Sequence, residues 1–358
     1  MDRLVRGHGL LLRVTRVVFI TQQVDPGHPA LAATVPKIEA LAALVDEVVI
    51  VADGAVEDVL PANCRVRTFR ANRKIGRGAR FEAALARELP GLRGGAVVAH
   101  MCPIYAVLAA PLVRPLGVPL LLWFTHWRAS RLLRAAERVS TAVISVDRRS
   151  FPLPSAKVKA IGHGIDLSQF SCLPPRAGND LRLLALGRYS RAKGLEVVVR
   201  AVSTAGDRVA LDVYGPSLSE DEQAHREELE RLVRELVLGD RVTLANAVPR
   251  SRVPELLASH DALVNNMRSG APDKVVYEAA ASCLPVLASN PVFDGLLEPE
   301  QRFERESPDE LAARIRELAE LGSADRATLG KRLRERVEAG HSVESWARGV
   351  LATAGIAR

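Results

Sequence analysis

Aromatic residues and cysteines are both scarce in this sequence. Aromatic side chains make up 4% of its 358 residues, which argues against a protein built to stack single-stranded nucleic acid bases. The cysteines are Cys64, Cys102, Cys172 and Cys283. They lie far apart, no pair has metal-ligand spacing, and four are too few for a disulfide scaffold in a chain of this size. We therefore expect reduced thiols in the cytoplasm and no metal site.

Long apolar runs and targeting segments are missing as well. The best candidate for a transmembrane helix, residues 108–127, is broken by charge and proline at Pro111, Arg114, Pro115 and Pro119. Near the N-terminus an apolar run stops at Arg13, and no small-residue cleavage site follows it. No Gly-x-Gly-x-x-Gly follows the first predicted strand, which argues against a Rossmann oxidoreductase. The sequence therefore predicts a cytoplasmic protein without a membrane span.

Strand and helix patterns alternate along the chain. Apolar runs predict strands at 17–21, 48–51, 66–69, 96–100, 120–124 and 142–145, and again at 181–186, 209–214, 242–244, 262–265 and 285–288. Helical stretches lie between most of them, and Ser307-Pro308 opens a well-capped one. Such alternation predicts α/β domains with doubly wound parallel sheets. The Pro- and Gly-containing stretch 171–180 is the expected linker between two such domains.

The segment 183–194, LLALGRYSRAKG, predicts a phosphate site. A buried strand runs into Gly187 and Arg188, and Lys193 and Gly194 follow before a helical stretch. Glycine lets the backbone approach a ligand closely, and a helix N-terminus favours an anion. Arg188 can grip two oxygens, while Lys193 acts as a point charge. A surface turn with two solvated cations is the alternative interpretation.

A second segment, RSGAPDKVVYEAAASCLPVLA (268–288), carries a loop, a short helix and a strand. Asp273 stands at the expected N-cap, and Glu278 lies in the first turns of the helix. Ligands bind at the carboxyl ends of strands in doubly wound sheets. The sequence therefore predicts that Arg188, Lys193 and Glu278 line one nucleotide-sugar site. The two cations would bind a diphosphate, and the carboxylate would reach sugar hydroxyls.

These segments resemble the C-terminal half of a retaining glycosyltransferase of family 4. In that family a Gly-Arg pair is followed by a Lys-Gly pair and then by two Glu residues with seven residues between them. The second Glu opens an Ala-rich helix, and Pro-Val follows that helix. This chain has them as Gly187-Arg188, Lys193-Gly194, Glu278-Ala279 and Pro285-Val286, and IGHGIDLSQF (161–170) resembles the family's interdomain stretch. The similarity covers residues 14–320. It implies the GT-B fold, in which two doubly wound Rossmann-like domains face each other across a cleft.

The resemblance also implies domain boundaries. Residues 1–172 would form an acceptor-binding domain and residues 173–335 a nucleotide-sugar-binding domain. Residues 336–358 would form a C-terminal helix that crosses back to the first domain.

The resemblance also implies residue roles. The donor site would comprise Gly187, Arg188, Lys193, Asp273, Lys274, Val275 and Glu278. Arg188 and Lys193 would stabilise the leaving diphosphate without a metal or other cofactor, and Glu278 would hold the ribose. His126 follows a predicted strand, where a family His contacts the donor sugar; a packed histidine beside aromatic residues is the alternative.

Two departures from the family pattern stand out. The first Glu of the pair would fall at Gly270, and Asp273 is the candidate that replaces it from the same loop. The loop 22–29 has Gly27 where many members carry paired glycines. We expect Gln23 and Gly27 to face phosphate or acceptor, with an ordinary strand-to-helix loop as the alternative.

Positive charge is concentrated in one stretch. The net charge is +7, and seven cations lie between residues 65 and 80: Arg65, Arg67, Arg70, Arg73, Lys74, Arg77 and Arg80. A basic segment entering a helix at 79–89 resembles the surface with which such transferases contact anionic membranes. A solvated face and an acceptor-phosphate site are the alternatives. Nucleic acid is not expected, because no nucleic-acid motif accompanies the charge.

The sequence thus predicts a retaining glycosyltransferase. It would move a hexose from a nucleoside diphosphate sugar to a hydroxyl of a glycan or lipid-linked acceptor, in bacterial cell-surface polysaccharide or glycolipid synthesis. It would work in the cytoplasm, at the inner face of the membrane. The alternatives are a non-catalytic binder of nucleotide sugar or glycan, which the missing Glu favours, and a nucleotide-sugar epimerase.

Overall fold

Seven short strands form the first parallel sheet. The computed structural model describes residues 15–28, 31, 33–172, 174, 176 and 180–356, so the N-terminal run through Arg13 and part of the predicted linker lie outside the described residues. The strands are β1 (Arg16–Val24), β2 (Glu47–Ala55), β3 (Cys64–Thr68), β4 (Ala96–His100), β5 (Leu120–Trp123), β6 (Ala142–Ser145) and β7 (Val158–Ala160). Their order is β3-β2-β1-β4-β5-β6-β7. The sequence predicted all but β7, which has three residues and only Val158 buried.

Five strands form the second sheet, all with parallel pairings. They are β8 (Leu181–Leu186), β9 (Val209–Tyr214), β10 (Val242–Ala245), β11 (Ala262–Asn265) and β12 (Val286–Ala288). The order is β10-β9-β8-β11-β12. The chain runs outward from β8 in one direction and then returns to β8's other side with β11. This reversal is the topological switch point at which doubly wound sheets bind ligands.

Eleven α-helices accompany the strands within the described residues. They are α1 (Thr34–Ala42), α2 (Lys74–Ala86), α3 (Pro103–Val113), α4 (Arg131–Val139), α5 (Leu195–Thr204), α6 (Glu220–Glu235), α7 (Val253–Ala258), α8 (Lys274–Ala281), α9 (Pro308–Glu320), α10 (Ser323–Gly340) and α11 (Val343–Thr353). The predicted start of α9 is confirmed, because the Ser307 hydroxyl accepts a hydrogen bond from the Glu310 amide at 3.2 Å. The basic helix α2 begins at Lys74 rather than residue 79, since it tolerates Gly76 and Gly78.

The described chain divides into two compact units. One comprises residues 15–123, 135–142 and 351–356 within the described part, and the other comprises residues 124–134 and 143–350. In the second unit, apolar side chains of β8, β9 and β11 pack with those of α5, α6 and α9 in one core. This core includes Leu183, Leu211, Val264, Val198 and Ile315, each at most 2% exposed. It fixes the carboxyl ends of the strands that carry the predicted donor residues.

A disulfide between Cys172 and Cys283 corrects the prediction of four reduced thiols. The two cysteines are 111 residues apart in the sequence, yet their Cα atoms lie 5.0 Å apart, a usual separation for a disulfide. Spacing along the chain could not reveal this pair, because tertiary folding alone brings the residues together. Cys64 and Cys102 are free, and burial raises the pKa of their thiols to about 11 and about 12. Cysteine content therefore no longer argues for a reducing compartment.

Candidate donor site

The turn after β8 brings glycine, lysine and backbone into close contact. Gly187 has a φ of 131°, and a Cβ at this position would collide with the ammonium of Lys193. Gly194 has a φ of 53° and separates the short turn Arg191–Lys193 from α5. A side chain at Gly194 would meet the Asn266 side chain at 2.5 Å. The positive φ angles therefore favour glycine at both positions, as the sequence pattern predicts, and a Cβ at either would also displace the end of a neighbouring side chain.

Lys193 points back over the end of β8. Its Nζ donates to the Leu186 carbonyl at 2.9 Å and to the carboxylate of Asp273. The Asp273 carboxylate also accepts from Asn265 Nδ2 at 2.7 Å. Lys193 and Asp273 are partly buried, with side chains 12% and 18% exposed. The structure thus joins two predicted donor residues that are 80 residues apart in the sequence.

Asp273 stands at the N-cap of α8, as predicted, but its side chain makes no capping hydrogen bond. The carboxylate accepts hydrogen bonds from Lys193 and Asn265 instead. Asn265 ends β11, so the network links the last residues of β8 and β11 to the start of α8. The topological switch point of the second sheet therefore carries a network of one cation, one carboxylate and one amide.

Arg188 is more open to solvent than Lys193. Its Nη1 lies 3.2 Å from Oε1 of Glu222, and 58% of its side chain is exposed. Glu222 is buried in the first turn of α6, where its other oxygen accepts from the Leu218 amide at 2.7 Å. Because more than half of its side chain is exposed and one nitrogen contacts Glu222, the Arg188 guanidinium is only partly engaged by this carboxylate.

Glu278 lies buried on α8 between two cations. Arg250 binds both carboxylate oxygens, at 2.7 and 2.5 Å, and Lys274 Nζ lies 2.9 Å from one of them. Burial raises the pKa of Glu278, but the charges of Lys274 and Arg250 outweigh burial and hold this pKa below its ordinary value. Glu278 is therefore an ionised acceptor. Val275, the other predicted donor residue of this helix, is buried in its first turn.

His126 lies in an exposed aromatic segment. Its ring stacks on Trp127 with centroids 5.3 Å apart, and its Nδ1 accepts from the Arg128 amide at 3.0 Å. Partial burial and the charge of Arg128 lower the pKa of His126, which favours the neutral ring. The Arg268 guanidinium lies 4.1 Å from the Trp127 ring centre. Trp127 thus links the His126 segment to the loop before α8.

Gly270 occupies the place of the family's first Glu in a left-handed conformation. Its φ is 80°, which is unfavourable for glutamate. A Cβ at Gly270 would lie 3.4 Å from the Arg149 carbonyl and 3.7 Å from Trp127 Cβ. The loop conformation, rather than a shortage of space, therefore disfavours a glutamate here.

Gln23 and Gly27 belong to the first unit. The Gln23 side chain lies against Gly54, where a Cβ would meet its Oε1 at 2.7 Å. The Gly27 amide donates to Asp25 Oδ1 at 2.8 Å, which forms a local turn. A role of this loop toward phosphate or acceptor stays a prediction.

A buried histidine of α6 contacts the backbone of the Gly187–Gly194 turn. His225 on α6 lies with Nδ1 2.9 Å from the Tyr189 carbonyl and Nε2 3.4 Å from Glu196 Oε2. The contact with Glu196 raises the pKa of His225, against the opposing effect of burial. Sequence motifs do not reveal His225, Glu222, Arg250 or Asn265, because each lies in a segment without a motif. Only the folded sheet brings these partners to the predicted residues.

Metal ligands are not clustered in the part of the chain that the structure describes. No group of three or more His, Cys, Asp or Glu side chains there has the arrangement of a metal site. The described helices also include none that is long and apolar enough to cross a membrane.

Comparison with known proteins points to the same half of the chain. Residues 174–336 match the family model of glycosyl transferases group 1. This range contains the whole network around Lys193, Asp273 and Glu278. No curated protein sequence matches the chain.

Solved structures resemble nearly the whole chain. HepE from Anabaena, solved in complex with UDP, has a TM-score of 0.73 at 18% identity and covers 95% of this chain and 100% of its own. Sucrose-phosphate synthase from Thermosynechococcus elongatus has a TM-score of 0.70 at 20% identity, with 94% and 97% covered. A glycosyltransferase from Rickettsia africae reaches 0.73 at 14% identity, with 95% and 98% covered. The chain therefore has the GT-B fold, which confirms the predicted fold class.

Proposed function

We propose that this protein is a retaining glycosyltransferase that uses a nucleoside diphosphate sugar. The observation that carries the proposal is the Lys193 network at the switch point of the second sheet, within the range that matches the glycosyltransferase family model. Structural relatives crystallised with UDP and with UDP-glucose support a nucleotide-sugar donor. The acceptor would be a hydroxyl of a glycan or lipid-linked sugar, and the pathway bacterial cell-surface polysaccharide or glycolipid synthesis.

The proposed mechanism is electrostatic. Negative charge grows on the diphosphate as its bond to the anomeric carbon breaks, and cations held at that point lower the barrier. Arg188 is the exposed, movable cation and Lys193 the fixed one, anchored by the Leu186 carbonyl. Two cations supply the charge that a divalent metal supplies elsewhere. We therefore propose that transfer needs no metal and no cofactor.

The remaining predicted residues would orient the donor. Glu278, ionised between Arg250 and Lys274, would accept hydrogen bonds from the ribose hydroxyls. The neutral ring of His126 would contact the sugar near its anomeric carbon. Asp273 is the candidate that offsets the missing Glu at Gly270, since both residues belong to one loop.

Ligand-dependent melting tests the proposal. We expect one nucleotide among UDP, GDP, ADP and their sugar conjugates, at millimolar concentration, to raise the melting temperature by about 5 °C. The rise should persist in EDTA and disappear in Arg188→Ala and Lys193→Ala. Arg200→Ala, which removes an exposed arginine of α5, is the matched control and should keep it. Absence of any shift in the wild-type protein would contradict a donor site.

A non-catalytic nucleotide-sugar binder is the second candidate, because Gly270 stands where the family has a Glu. Incubation of the selected donor with candidate acceptors and analysis of the product by NMR separates the two. The transferase gives a glycoside with the anomeric configuration of the donor. Binding without transfer or hydrolysis would favour the binder, and isomerisation of the donor sugar would favour an epimerase.

We also propose that the basic start of α2 contacts an anionic membrane surface. Arg77 is held near Asp53 at 3.4 Å and Arg80 bonds the Arg70 carbonyl. Arg73 and Lys74 have no carboxylate partner among the described residues. Between them and Arg77 lies Ile75, 89% exposed. Cations around an exposed apolar side chain suit the surface of an anionic bilayer, and this would place the protein in the cytoplasm at the inner face of the membrane.

A further inference from the structure

The two cations of the proposed donor site differ in how tightly carboxylates hold them. Arg188 is 58% exposed and touches Glu222 with one nitrogen. Lys193 is 12% exposed and is bound by Asp273, itself 18% exposed. Glu222 is buried, but water reaches the pair through the exposed Arg188, whereas both members of the Lys193–Asp273 pair are largely enclosed. Because water screens a charge pair that it reaches more strongly, the Lys193–Asp273 pair is the stronger of the two.

Asp273 supplies Lys193 with an anion from within the chain. The carboxylate binds Nζ of Lys193 and is held in place by Asn265 Nδ2. It makes no hydrogen bond to the first turn of α8, although it stands at the N-cap of that helix. A carboxylate oxygen and a phosphate oxygen are interchangeable acceptors for an ammonium group. In this structure Asp273 therefore takes the position on Lys193 that a phosphate oxygen would take.

We propose that Asp273 is a built-in counter-ion of Lys193, which a phosphate of the donor has to displace. This inference rests on the proposed function, because it concerns the same diphosphate site. Asp273 then sets the affinity and the selectivity of the site. An anion with one negative charge gains little by replacing the carboxylate, whereas a diphosphate brings several charged oxygens and also engages Arg188. The site is thereby selective for polyphosphate esters over singly charged anions such as carboxylates and sulfate esters.

The inference differs from a role of Asp273 in replacing the Glu absent at Gly270. A residue that holds the sugar favours binding, so its loss weakens the sugar conjugate and leaves the free nucleotide unchanged. A counter-ion opposes binding, so its neutralisation tightens every ligand that carries the diphosphate, including pyrophosphate itself. On Asp273→Asn the two roles therefore predict opposite changes in affinity for the sugar conjugate, and for the free nucleotide and pyrophosphate only the counter-ion role predicts a gain.

Calorimetric titration with pyrophosphate and with UDP tests the inference. Asparagine keeps the shape of Asp273 and is as good an N-cap, so Asp273→Asn should fold. We expect this variant to bind both ligands about tenfold tighter than the wild-type protein, because the phosphate no longer has to compete with a carboxylate for Lys193. Asp309→Asn, with the same change of charge in the exposed first turn of α9, should bind like the wild type.

A double-mutant cycle attributes the effect to Lys193. In a Lys193→Met background there is no cation for Asp273 to occupy, so Asp273→Asn should no longer give the tenfold gain. The inference is overturned if Asp273→Asn binds pyrophosphate no tighter than the wild type while the wild type binds it. It is equally overturned if the gain survives in Lys193→Met.

The same titrations keep the two proposals apart. Wild-type binding that Lys193→Met weakens supports the donor site, whatever Asp273→Asn does. If Asp273→Asn binds these ligands and the wild type does not, the inference is supported in its strongest form, in which the Lys193–Asp273 pair fully blocks the site. Absence of binding in both proteins, with UDP, GDP, ADP and pyrophosphate, contradicts the donor site and the counter-ion together.

Discussion

At the scale of single residues, the turn after β8 depends on glycine, because a glycine leaves room for the atoms that pack against it. Gly187 allows the Lys193 ammonium to lie directly over the backbone, and a Cβ at Gly215 would collide with the carbonyl of Gly187. Two glycines at neighbouring strand ends therefore leave room for the turn and for its lysine. This close packing explains why the glycines, rather than the cations alone, predict the site.

The histidine beneath the turn gives a prediction on pH. Glu196 raises the pKa of His225 in the folded protein, so the protonated ring stabilises the fold fully below its unfolded pKa of about 6.5. That contribution is lost as pH rises through the folded pKa. Between pH 5.5 and 8.5 the wild-type protein should lose about 0.5–1 kcal/mol of stability relative to His225→Asn. Urea unfolding at both pH values measures the difference.

Asparagine preserves a hydrogen bond to the Tyr189 carbonyl, so His225→Asn removes the titration and retains the local contact. Glu196→Gln is the matched control, and it should flatten the pH dependence in the same way because it removes the partner of His225. An unchanged difference between the two pH values in His225→Asn would show that this pair does not titrate across the range.

At the scale of secondary-structure elements, α8 carries most of the proposed donor chemistry. Asp273 and Lys274 open the helix, Glu278 lies in its middle, and Cys283 follows its end. Cys283 has a φ of 58°, a left-handed conformation that costs about 1 kcal/mol for a residue other than glycine. The disulfide to Cys172 holds the end of the helix in spite of this cost.

Removal of the disulfide should therefore reveal two opposing effects. Cys172→Ser/Cys283→Ser opens a closed loop of 111 residues and should lose about 3–5 kcal/mol of unfolding free energy. Cys172→Ser/Cys283→Gly loses the same bond but relieves the left-handed cysteine, so it should be about 1 kcal/mol more stable than the double serine variant. Denaturation in guanidinium under non-reducing conditions compares them.

The reduced wild-type protein provides the control, because it lacks the bond but keeps both side chains. Its stability should match that of the double serine variant within about 1 kcal/mol. Equal stability of oxidised and reduced wild-type protein would show that the bond contributes nothing to the fold. Thiol titration before unfolding establishes the oxidation state of each sample.

At the scale of the whole molecule, charge is distributed unevenly. The chain carries a net charge of +7, and its basic stretch includes Arg73 and Lys74 next to the exposed Ile75. Each cation near an anionic bilayer contributes about 1 kcal/mol to binding. Arg73→Ala/Lys74→Ala should therefore weaken sedimentation with phosphatidylserine vesicles about 10- to 30-fold. Added salt should weaken wild-type binding in the same direction.

Matched variants distinguish the effect of the charge near Ile75 on vesicle binding from the effect of the net charge of the chain. Arg208→Ala/Arg231→Ala removes the same charge from exposed positions of the other unit, and it should bind vesicles almost like the wild type. Ile75→Ser should weaken binding without changing its salt dependence. Vesicle binding that is indifferent to salt and to Arg73 and Lys74 would contradict the membrane proposal.

The sequence by itself determined the α/β class, eleven of the twelve strands found in the described residues and the order of the motifs. These follow from local physics: apolar runs specify buried strands, and the paired glycines at 187 and 194 specify a turn with positive φ. The resemblance to GT-B glycosyltransferases likewise depended on residues close together in the sequence. Such features can be predicted because each is contained within about 20 residues.

Only the tertiary structure decided which side chains meet. It paired Lys193 with Asp273, Glu278 with Arg250, and Cys172 with Cys283. It also gave Gly270 its left-handed conformation against Trp127. The members of the three side-chain pairs are 28 to 111 residues apart, and nothing local distinguishes them from other residues of their type. Their meeting depends on the packing of a whole sheet, which no single segment of the sequence encodes.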